Sequence, residues 1–349
     1  MIDREIINES GNILIQTSSK ELLILSKILA LASPVFKAML NLKFLEGITI
    51  RSVHNPLELP LPDDDPDALA VLFYTLHFSS QRKFPKLGAD LQLDVTYLSD
   101  KYDCITSIYG ESGRWLRSLS ESESDHESPM LWKLSTIAFL IGHVDEFSNL
   151  TTKLVLNLTA AELNRTTPNS ALPETLKGMS GVLSILKLSS GIRPNAGIGA
   201  LHRLRTRVVC DMMGEAEEAI DGLRHDQQEF ETGGKLCTAC KRYKPPPTKK
   251  CHNCRNDEFL PLYCDAGSRV CEFLGVLSSA NVWPLSRQME DSAVAFQSKL
   301  ESIQSRLHHN YNGYNRCPLS QAAKTLKDKV GRVLTQSEGL DLRVLQRNI

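Results

Sequence analysis

Two pairs of cysteines constrain the fold of this chain more than any other feature. They are Cys237-Thr-Ala-Cys240 and Cys251-His-Asn-Cys254, with ten residues between the pairs. Four thiolates can surround one ion tetrahedrally, and a site with four protein ligands and no open position is structural rather than catalytic. The spacing predicts a structural zinc site formed by Cys237, Cys240, Cys251 and Cys254. The alternative is a cysteine-rich loop that carries thiols and no metal.

Three residues near this quartet have roles that the sequence leaves open. Cys264, Cys271 and His252 could replace one of the four ligands, contribute to a second site, or take no part in metal binding. The paired, interleaved ligands of a RING are absent from the sequence, which argues against a ubiquitin ligase. The remaining cysteines, Cys104, Cys210 and Cys317, are scattered and are predicted to be small buried hydrophobic residues.

The segment around the quartet is basic and contains no acidic residue. Seven positive charges lie between residues 235 and 255: Lys235, Lys241, Arg242, Lys244, Lys249, Lys250 and Arg255. A zinc ion with four thiolates carries a charge of −2, which leaves a net charge of about +5 and a local field that could contact phosphates. Base recognition usually needs a helix, a strand or an aromatic platform beside the basic residues, and the sequence offers only Tyr243 there. Solvation or a protein surface is therefore preferred to nucleic acid.

Composition predicts a globular protein of two or three domains. The chain has 349 residues, 42% of them hydrophobic, and a formal net charge of −1, which gives no overall attraction to nucleic acid or to an anionic membrane. The N-terminal residues MIDREIINES do not resemble a secretory signal. The apolar runs are shorter than the roughly 20 residues that cross a bilayer. The protein is expected in the cytoplasm or the nucleus, and no association with a membrane is expected.

The N-terminal third reads as an α+β domain. Residues 11–17 and 22–25 are predicted strands, and two short helices follow, with Ser26 expected to cap the first and Ser33-Pro34 to start the second. Residues 48–53 could add a strand. Asp65-Pro66 is predicted to begin a helix that ends near Phe78, and another helix begins near Leu91 and carries Val95, Leu98, Tyr102 and Ile105 on one side.

The remainder of the chain is predicted to be mainly helical. Helical spacing occurs at residues 131–156, 179–188, 201–223, 286–309 and 322–334. Arg203, Arg205 and Arg207 lie on the third of these helices, where plain solvent exposure is expected. No phosphate-binding glycine loop, open metal site or nucleophile arrangement is recognisable in the sequence, so the protein is predicted not to be an enzyme.

The order of these N-terminal segments resembles a BTB/POZ domain, in particular the divergent form abundant in filamentous fungi. The resemblance covers about a third of the chain and rests on three motifs: Leu29 with Ser33-Pro34-Val35-Phe36, Asp64-Asp65-Pro66 followed by His77, and Asp100-Lys101-Tyr102-Asp103. The sequence departs from the family at Leu25, where many members have histidine. It also departs at Gly11-Asn12, where many begin the first strand with aspartate.

The resemblance implies a protein-interaction fold, often homodimeric, which in some members is an adaptor for cullin-type ubiquitin ligases or a recruiter of transcriptional regulators. The expected protein is thus a non-catalytic scaffold or adaptor with a structural zinc site; the alternative is a nucleic-acid-binding regulator that uses the basic zinc-knuckle segment. The predicted organisation, in order, is a BTB/POZ-like domain (1–117), a polar linker (118–130), a helical region (131–230), the Cys-rich segment (231–275) and C-terminal helices (276–349).

Overall fold

The structure is a computed structural model that describes residues 3–40, 55–122, 128–165, 196–240, 242–244, 249–307 and 317–347. It is a mixed α+β structure, mostly helical, with a small sheet at the N-terminus, which confirms the α+β and mainly helical character predicted from the sequence. The predicted strand at 48–53 and the predicted helix at 179–188 lie outside the described residues. None of the helices in the described ranges is long and apolar enough to cross a membrane.

The elements are numbered here in chain order. The strands are β1 (Asp3–Ile6), β2 (Ile13–Gln16), β3 (Lys20–Ile24), β4 (Leu57–Pro60), β5 (Phe230–Cys237), β6 (Tyr243–Lys244) and β7 (Phe259–Cys264). The helices are α1 (Ser26–Ala32), α2 (Pro34–Met39), α3 (Pro66–Leu76), α4 (Ser80–Lys83), α5 (Ala89–Lys101), α6 (Ile105–Ser122), α7 (Ser128–Ile141), α8 (Val144–Asn157), α9 (Ala160–Arg165), α10 (Ala196–His225), α11 (Ala266–Ser279), α12 (Ala293–Glu301), α13 (Leu319–Thr335) and α14 (Leu342–Arg347).

The chain divides into two compact units. The first contains the described residues up to 154, residues 196 and 197, and those from 339 onward, and the second contains the described residues of 155–165 and 198–338. The division falls within α8. The organisation predicted from sequence, with boundaries at 117, 130, 230 and 275, stays a prediction.

The first unit has a four-stranded sheet in the order β1-β3-β2-β4. Strands β2 and β3 form an antiparallel hairpin, in which Ile15 lies opposite Leu22, and β4 runs parallel to β2. The sequence predicted this hairpin because two apolar runs flank the short polar turn of Ser18, Ser19 and Lys20. It did not predict β1 or β4, because β1 is a largely exposed strand with the sequence DREI and β4 is a short strand that ends in proline.

Two of the three predicted helix caps are confirmed. The Ser33 side chain accepts a hydrogen bond from the Phe36 N–H at the start of α2, and the Asp65 side chain caps α3 in the same way, each before a proline at the first helical position. The prediction that Ser26 caps α1 is wrong. The N-cap is Leu25, and Ser26 lies inside the helix, where its N–H donates to the Asn12 side chain at 2.9 Å.

The helix that was expected to run through Tyr102 to Ile105 ends earlier. Helix α5 stops at Lys101, and Asp103 follows with a φ of 50°, in the left-handed region that ends helices. Ile105 begins α6 instead. This helix continues to Ser122 and α7 begins at Ser128, so the segment predicted as a polar linker, 118–130, is helical at both ends.

The second unit contains a buried arginine where exposure was predicted. Arg205 on α10 is 1% exposed, whereas Arg203 and Arg207 are exposed. Its Nε donates to the Leu158 carbonyl at 2.8 Å, and its Nη2 donates to the carbonyls of Met289 and Asp291 at 2.6 and 2.5 Å. A guanidinium can be buried when its N–H groups are satisfied in this way, and helical spacing alone does not reveal those acceptors.

The long helix predicted from 286 to 309 is interrupted. Residues Leu285–Met289 form a 3-10 helix, α12 covers Ala293–Glu301, and Gln304–Arg306 is a second 3-10 turn. The break occurs because the Ser292 side chain accepts a hydrogen bond from the Ala295 N–H and starts a new helix. The predicted final helix corresponds to α13, in which Leu326, Val330 and Leu334 are buried.

Candidate metal centre

The cysteine quartet lies at one end of a three-stranded antiparallel sheet. The strand order is β6-β5-β7, with Lys235 of β5 opposite Lys244 of β6 and Cys237 of β5 opposite Phe259 of β7. The first cysteine pair forms the turn that joins β5 to β6, and the second lies between β6 and β7. Because Cys237 is the last residue of β5, the sheet brings both pairs to the same end.

The two cysteine turns share one backbone arrangement. The Cys237 N–H donates to the Arg242 carbonyl at 3.1 Å, and the Cys251 N–H donates to the Asn256 carbonyl at 2.8 Å, a separation of five residues in each turn. In the second turn Arg255 has a φ of 61°, the left-handed conformation that allows the chain to reverse. Each turn directs the two sulfur atoms of its pair toward the other turn.

The four sulfur atoms are spaced as a tetrahedral ion requires. All of them lie within 4.8 Å of one another, and the closest pairs across the two turns are Cys237–Cys254 at 3.4 Å and Cys240–Cys251 at 3.5 Å. Bonds of about 2.3 Å to a central zinc ion would place tetrahedral sulfur atoms about 3.8 Å apart, whereas a disulfide requires about 2.05 Å. The four cysteines therefore fit a closed four-ligand metal site.

Backbone N–H groups surround the sulfur atoms of the first cysteine in each turn. Hydrogen bonding from the Cys240 backbone lowers the pKa of Cys237 to about 6, with further contributions from Cys254 and Ala239. Burial opposes ionisation of Cys251, but the backbone N–H groups of Cys254 and Asn253 lower its pKa. The thiolate is the form of cysteine that binds metal, so these N–H groups favour the ligand form at both positions.

Cys254 differs from Cys237 and Cys251 in the direction of its pKa shift. The Asn256 backbone N–H lowers its pKa, but the neighbouring thiols of Cys237, Cys251 and Cys240 outweigh this effect and raise the pKa to about 12. Thiolates this close to one another repel, so without a cation the group holds on to protons. The positive charge of a divalent cation at the centre would offset that repulsion. The thiols would then release their protons as the metal binds.

Asn256 supports the site without being a ligand. Its Nδ2 donates to the Thr238 hydroxyl at 2.7 Å and to the Glu258 carbonyl at 3.1 Å, and it lies 3.7 Å from the Cys237 sulfur. The side chain therefore ties the second turn to the first cysteine. Sequence analysis missed this role because an asparagine in a loop carries no pattern specific for it.

The structure separates the other candidate ligands from the quartet. Cys264 lies at the end of β7, and its sulfur is 3.3 Å from that of Cys317. Cys271 is exposed on α11, and His252 is exposed within the second turn. In the part of the chain that the structure describes, the quartet is the group identified as able to hold a metal ion.

The scattered cysteines have three different environments. Cys104 is buried, as predicted, and burial raises its pKa to about 12. Cys210 is exposed, so the prediction of a buried residue is wrong there. Cys317 is half-buried and lies beside Cys264, a neighbour that no sequence pattern indicates.

The positive charges near the metal centre are largely at the surface. Five of the seven basic side chains are exposed: Lys235, Arg242, Lys249, Lys250 and Arg255. Lys241 lies outside the described residues. The Arg242 guanidinium reaches the Asn253 side chain at 3.2 Å and so bridges the two turns. The acidic residues Asp257 and Glu258, which directly follow this segment, are exposed as well.

Comparison with known proteins identifies no relative of this chain. No protein-family model, no curated protein and no solved structure matches the chain.

Proposed function

We propose that the quartet binds one structural zinc ion that stabilises the three-stranded sheet. The observation that carries this proposal is the closed arrangement of four sulfur atoms within 4.8 Å of one another. Four soft ligands suit zinc, and a centre without an open position has no place for a substrate. The expected role is stabilisation, because the unfolded chain does not hold the two turns together.

Metal analysis of the purified full-length chain tests this assignment. We expect one zinc ion per chain, lost in Cys237→Ser and Cys251→Ser and retained in Cys271→Ser, which changes an exposed cysteine outside the quartet. A zinc ion that remains after both quartet substitutions would refute the site. Iron in place of zinc would leave the assignment of the four ligands standing and would refute zinc as the metal.

We further propose that the first unit is a BTB-like interaction domain and that the protein is a non-catalytic scaffold or adaptor. The support comes from contacts among the three motifs on which the resemblance rests. The Ser33 hydroxyl donates to the Tyr102 carbonyl at 2.5 Å, and the Tyr102 hydroxyl donates to the Asp64 carboxylate. Phe36 stacks on Tyr102 with ring centroids 4.3 Å apart. The motifs thus form one packed core rather than unrelated segments.

An exposed apolar residue on α1 provides a test of the adaptor role. Leu31 is 79% exposed, so Leu31→Asp should alter a partner surface without disturbing the core. Leu260→Asp is the matched control, because Leu260 is 50% exposed and belongs to the second unit. In proximity labelling with the full chain, specific partners should be lost with Leu31→Asp and retained with Leu260→Asp. Identical labelling by both variants and the unchanged chain would count against the proposal.

Two outcomes of these experiments would define the adaptor further. A cullin among the proteins lost with Leu31→Asp would identify a ligase adaptor. Light scattering of the full chain at increasing concentration tests self-association, for which the resemblance implies a homodimer. A constant monomer mass would remove the homodimer from the proposal and leave the adaptor role to the labelling result.

Nucleic-acid binding by the metal centre is the second candidate, and the five exposed basic side chains favour it. Contact with phosphates would make binding of an oligonucleotide weaken steeply with salt. Replacing Arg242, Lys249 and Lys250 by glutamine should then lower both the affinity and the salt dependence. Binding that does not respond to these changes, or that is absent at low salt, would exclude this function.

A further inference from the structure

The thiols of Cys264 and Cys317 lie close together although 53 residues separate them in the sequence. Their sulfur atoms are 3.3 Å apart, and both residues belong to the second unit. Cys264 is the last residue of β7, and Cys317 directly precedes Pro318, the N-cap of α13. Neither belongs to the cysteine quartet. The pair therefore lies where the metal-binding sheet meets the helices of its own unit.

A buried arginine fixes the position of Cys264. Arg269 is fully buried, and its Nη1 donates to the Cys264 carbonyl at 3.0 Å and to the Gln228 carbonyl at 2.9 Å. The same nitrogen lies 3.8 Å from the Cys264 sulfur. The backbone of Cys264 is thus held rigidly, with a positive charge beside the sulfur pair.

Cys317 is the more accessible of the two cysteines. It is half-buried, whereas Cys264 is 1% exposed. Burial and the neighbouring Cys264 thiol raise the pKa of Cys317 to about 11, so this residue keeps its proton at neutral pH. Thiol–disulfide exchange proceeds through the thiolate, and a protonated thiol therefore exchanges slowly.

We propose that Cys264 and Cys317 form a reversible disulfide that joins the end of β7 to the start of α13. A disulfide needs the sulfur atoms about 2.05 Å apart, so the pair has to close by little more than an ångström. The oxidant is a low-molecular-weight disulfide such as oxidised glutathione. The thiolate of one cysteine attacks it and releases one glutathione thiolate, and the second cysteine then attacks the mixed disulfide and releases the other. Two protein thiols lose two electrons and two protons, and one glutathione disulfide becomes two glutathione thiols.

The bond would connect two parts of the second unit that are otherwise linked by non-covalent contacts. Strand β7 pairs with β5, which ends in the metal-site residue Cys237. Helix α13 is joined to α10 through Lys329, whose Nζ lies 2.9 Å from Glu215 and 2.5 Å from Glu218. The disulfide would therefore tie the metal-binding sheet covalently to the α10–α13 pair under oxidising conditions and release it under reducing ones.

The test equilibrates the full chain, with zinc added to protect the quartet, in glutathione buffers of increasing oxidation. Remaining thiols are then alkylated and the digested peptides are identified by mass. We expect a linked Cys264–Cys317 peptide that lacks two hydrogen atoms, appears as the buffer becomes oxidising and disappears on reduction. Oxidised chain should also unfold at a higher urea concentration than reduced chain, because a cross-link constrains the unfolded state.

Two variants keep this test specific. Cys271→Ser removes an exposed thiol and should leave the linked peptide unchanged, whereas Cys317→Ser should abolish both the peptide and the shift in urea midpoint. The proposal is overturned if Cys264 and Cys317 are both alkylated across the whole buffer series, or if either is linked mainly to Cys271. The peptide map of the unchanged chain decides this even if the Cys317 variant does not fold.

Discussion

The hydroxyl of Ser33 donates a hydrogen bond of 2.5 Å to the backbone carbonyl of Tyr102, 69 residues further along the chain. The same oxygen accepts the Phe36 N–H at 3.0 Å, so one side chain caps α2 and also fixes it to the end of α5. Ser33 is fully buried. The start of α2 is thus positioned by the residue that follows α5.

Replacing this serine should destabilise the first unit. Ser33→Ala removes the cap and leaves the Tyr102 carbonyl without its hydroxyl donor, for an expected loss of about 1–2 kcal/mol in the free energy of unfolding. Ser26→Ala is the control, because Ser26 does not cap α1 and should cost less than about 0.5 kcal/mol. Urea unfolding of the two variants measures the difference. Equal losses would show that the cap is not responsible.

The Tyr102 hydroxyl is expected to matter because its acceptor is buried. Asp64 is 7% exposed and accepts hydrogen bonds from Tyr102 and from Lys101 Nζ, the latter at 2.5 Å. Tyr102→Phe leaves one carboxylate oxygen without that donor, and we expect a loss of about 1–3 kcal/mol in stability. Tyr109→Phe removes a hydroxyl from a residue that is 47% exposed and should have little effect. A loss no larger than that of the control would show that the hydroxyl contributes little.

Stability should fall as the pH decreases below the usual pKa of histidine. In His77 the Nδ1–H donates to the Phe73 carbonyl at 2.8 Å, and Nε2 accepts the Leu25 N–H at 3.2 Å, so the neutral ring is the form that fits. Burial lowers the pKa of His77 from 6.5, although the bond to Phe73 opposes this effect. The unfolded chain therefore takes up a proton at a higher pH than the folded one.

The direction of the pKa shift of His77 sets the pH range of the experiment. The contribution of His77 is complete above the unfolded pKa of 6.5 and is lost as the pH falls toward the lower folded value. Burial also lowers the pKa of His143, which adds to the same trend. Between about pH 7.5 and about pH 5.5, the free energy of unfolding measured with urea should change less with pH for His77→Gln than for the unchanged chain. His225→Gln, which changes an exposed histidine on α10, is the matched control.

The sequence predicted the features that depend on neighbouring residues. The cysteine quartet lies within one short segment, and the caps at Ser33 and Asp65 act on helices that begin at the next residue. In each case the feature depends on which residue types occur and on how far apart they lie in the sequence. The strand hairpin was predictable for the same reason, since two short apolar runs lie on either side of a polar turn.

The features that sequence analysis missed depend on distant partners. Cys317 has no local pattern that indicates Cys264, and the carbonyl acceptors of Arg205 lie 47, 84 and 86 residues away. Strand β4 alternates buried leucines with exposed residues, but a run of four residues does not indicate that β2 offers it a parallel edge. Propensity and periodicity describe single elements, so they do not identify pairings that only tertiary packing creates.

The metal centre should depend on Asn256 although this residue is not a ligand. Its amide joins Thr238 to Glu258 beside the Cys237 sulfur, so Asn256→Ala should loosen the first ligand and weaken zinc binding by about 10–100-fold. His252→Ala should leave the affinity unchanged, because His252 is exposed and outside the quartet. Competition with a chromophoric chelator measures both. Weaker binding in the histidine variant would restore His252 as a ligand.

Arg205 should be among the residues of the second unit that are most sensitive to substitution. Arg205→Met keeps much of the side-chain volume but removes three hydrogen bonds, and it leaves the carbonyls of Leu158, Met289 and Asp291 without the guanidinium. Hydrogen bonds from a charged donor contribute about 1.5–3 kcal/mol each, so we expect a loss of at least about 3 kcal/mol in the free energy of unfolding. Arg203→Met is the matched control, because Arg203 is exposed on the same helix and should change stability by less than about 0.5 kcal/mol. Urea unfolding monitored by tryptophan fluorescence compares the two. If Arg205→Met is no less stable than Arg203→Met, then apolar packing rather than the guanidinium holds α10 against the residues after α8 and before α12.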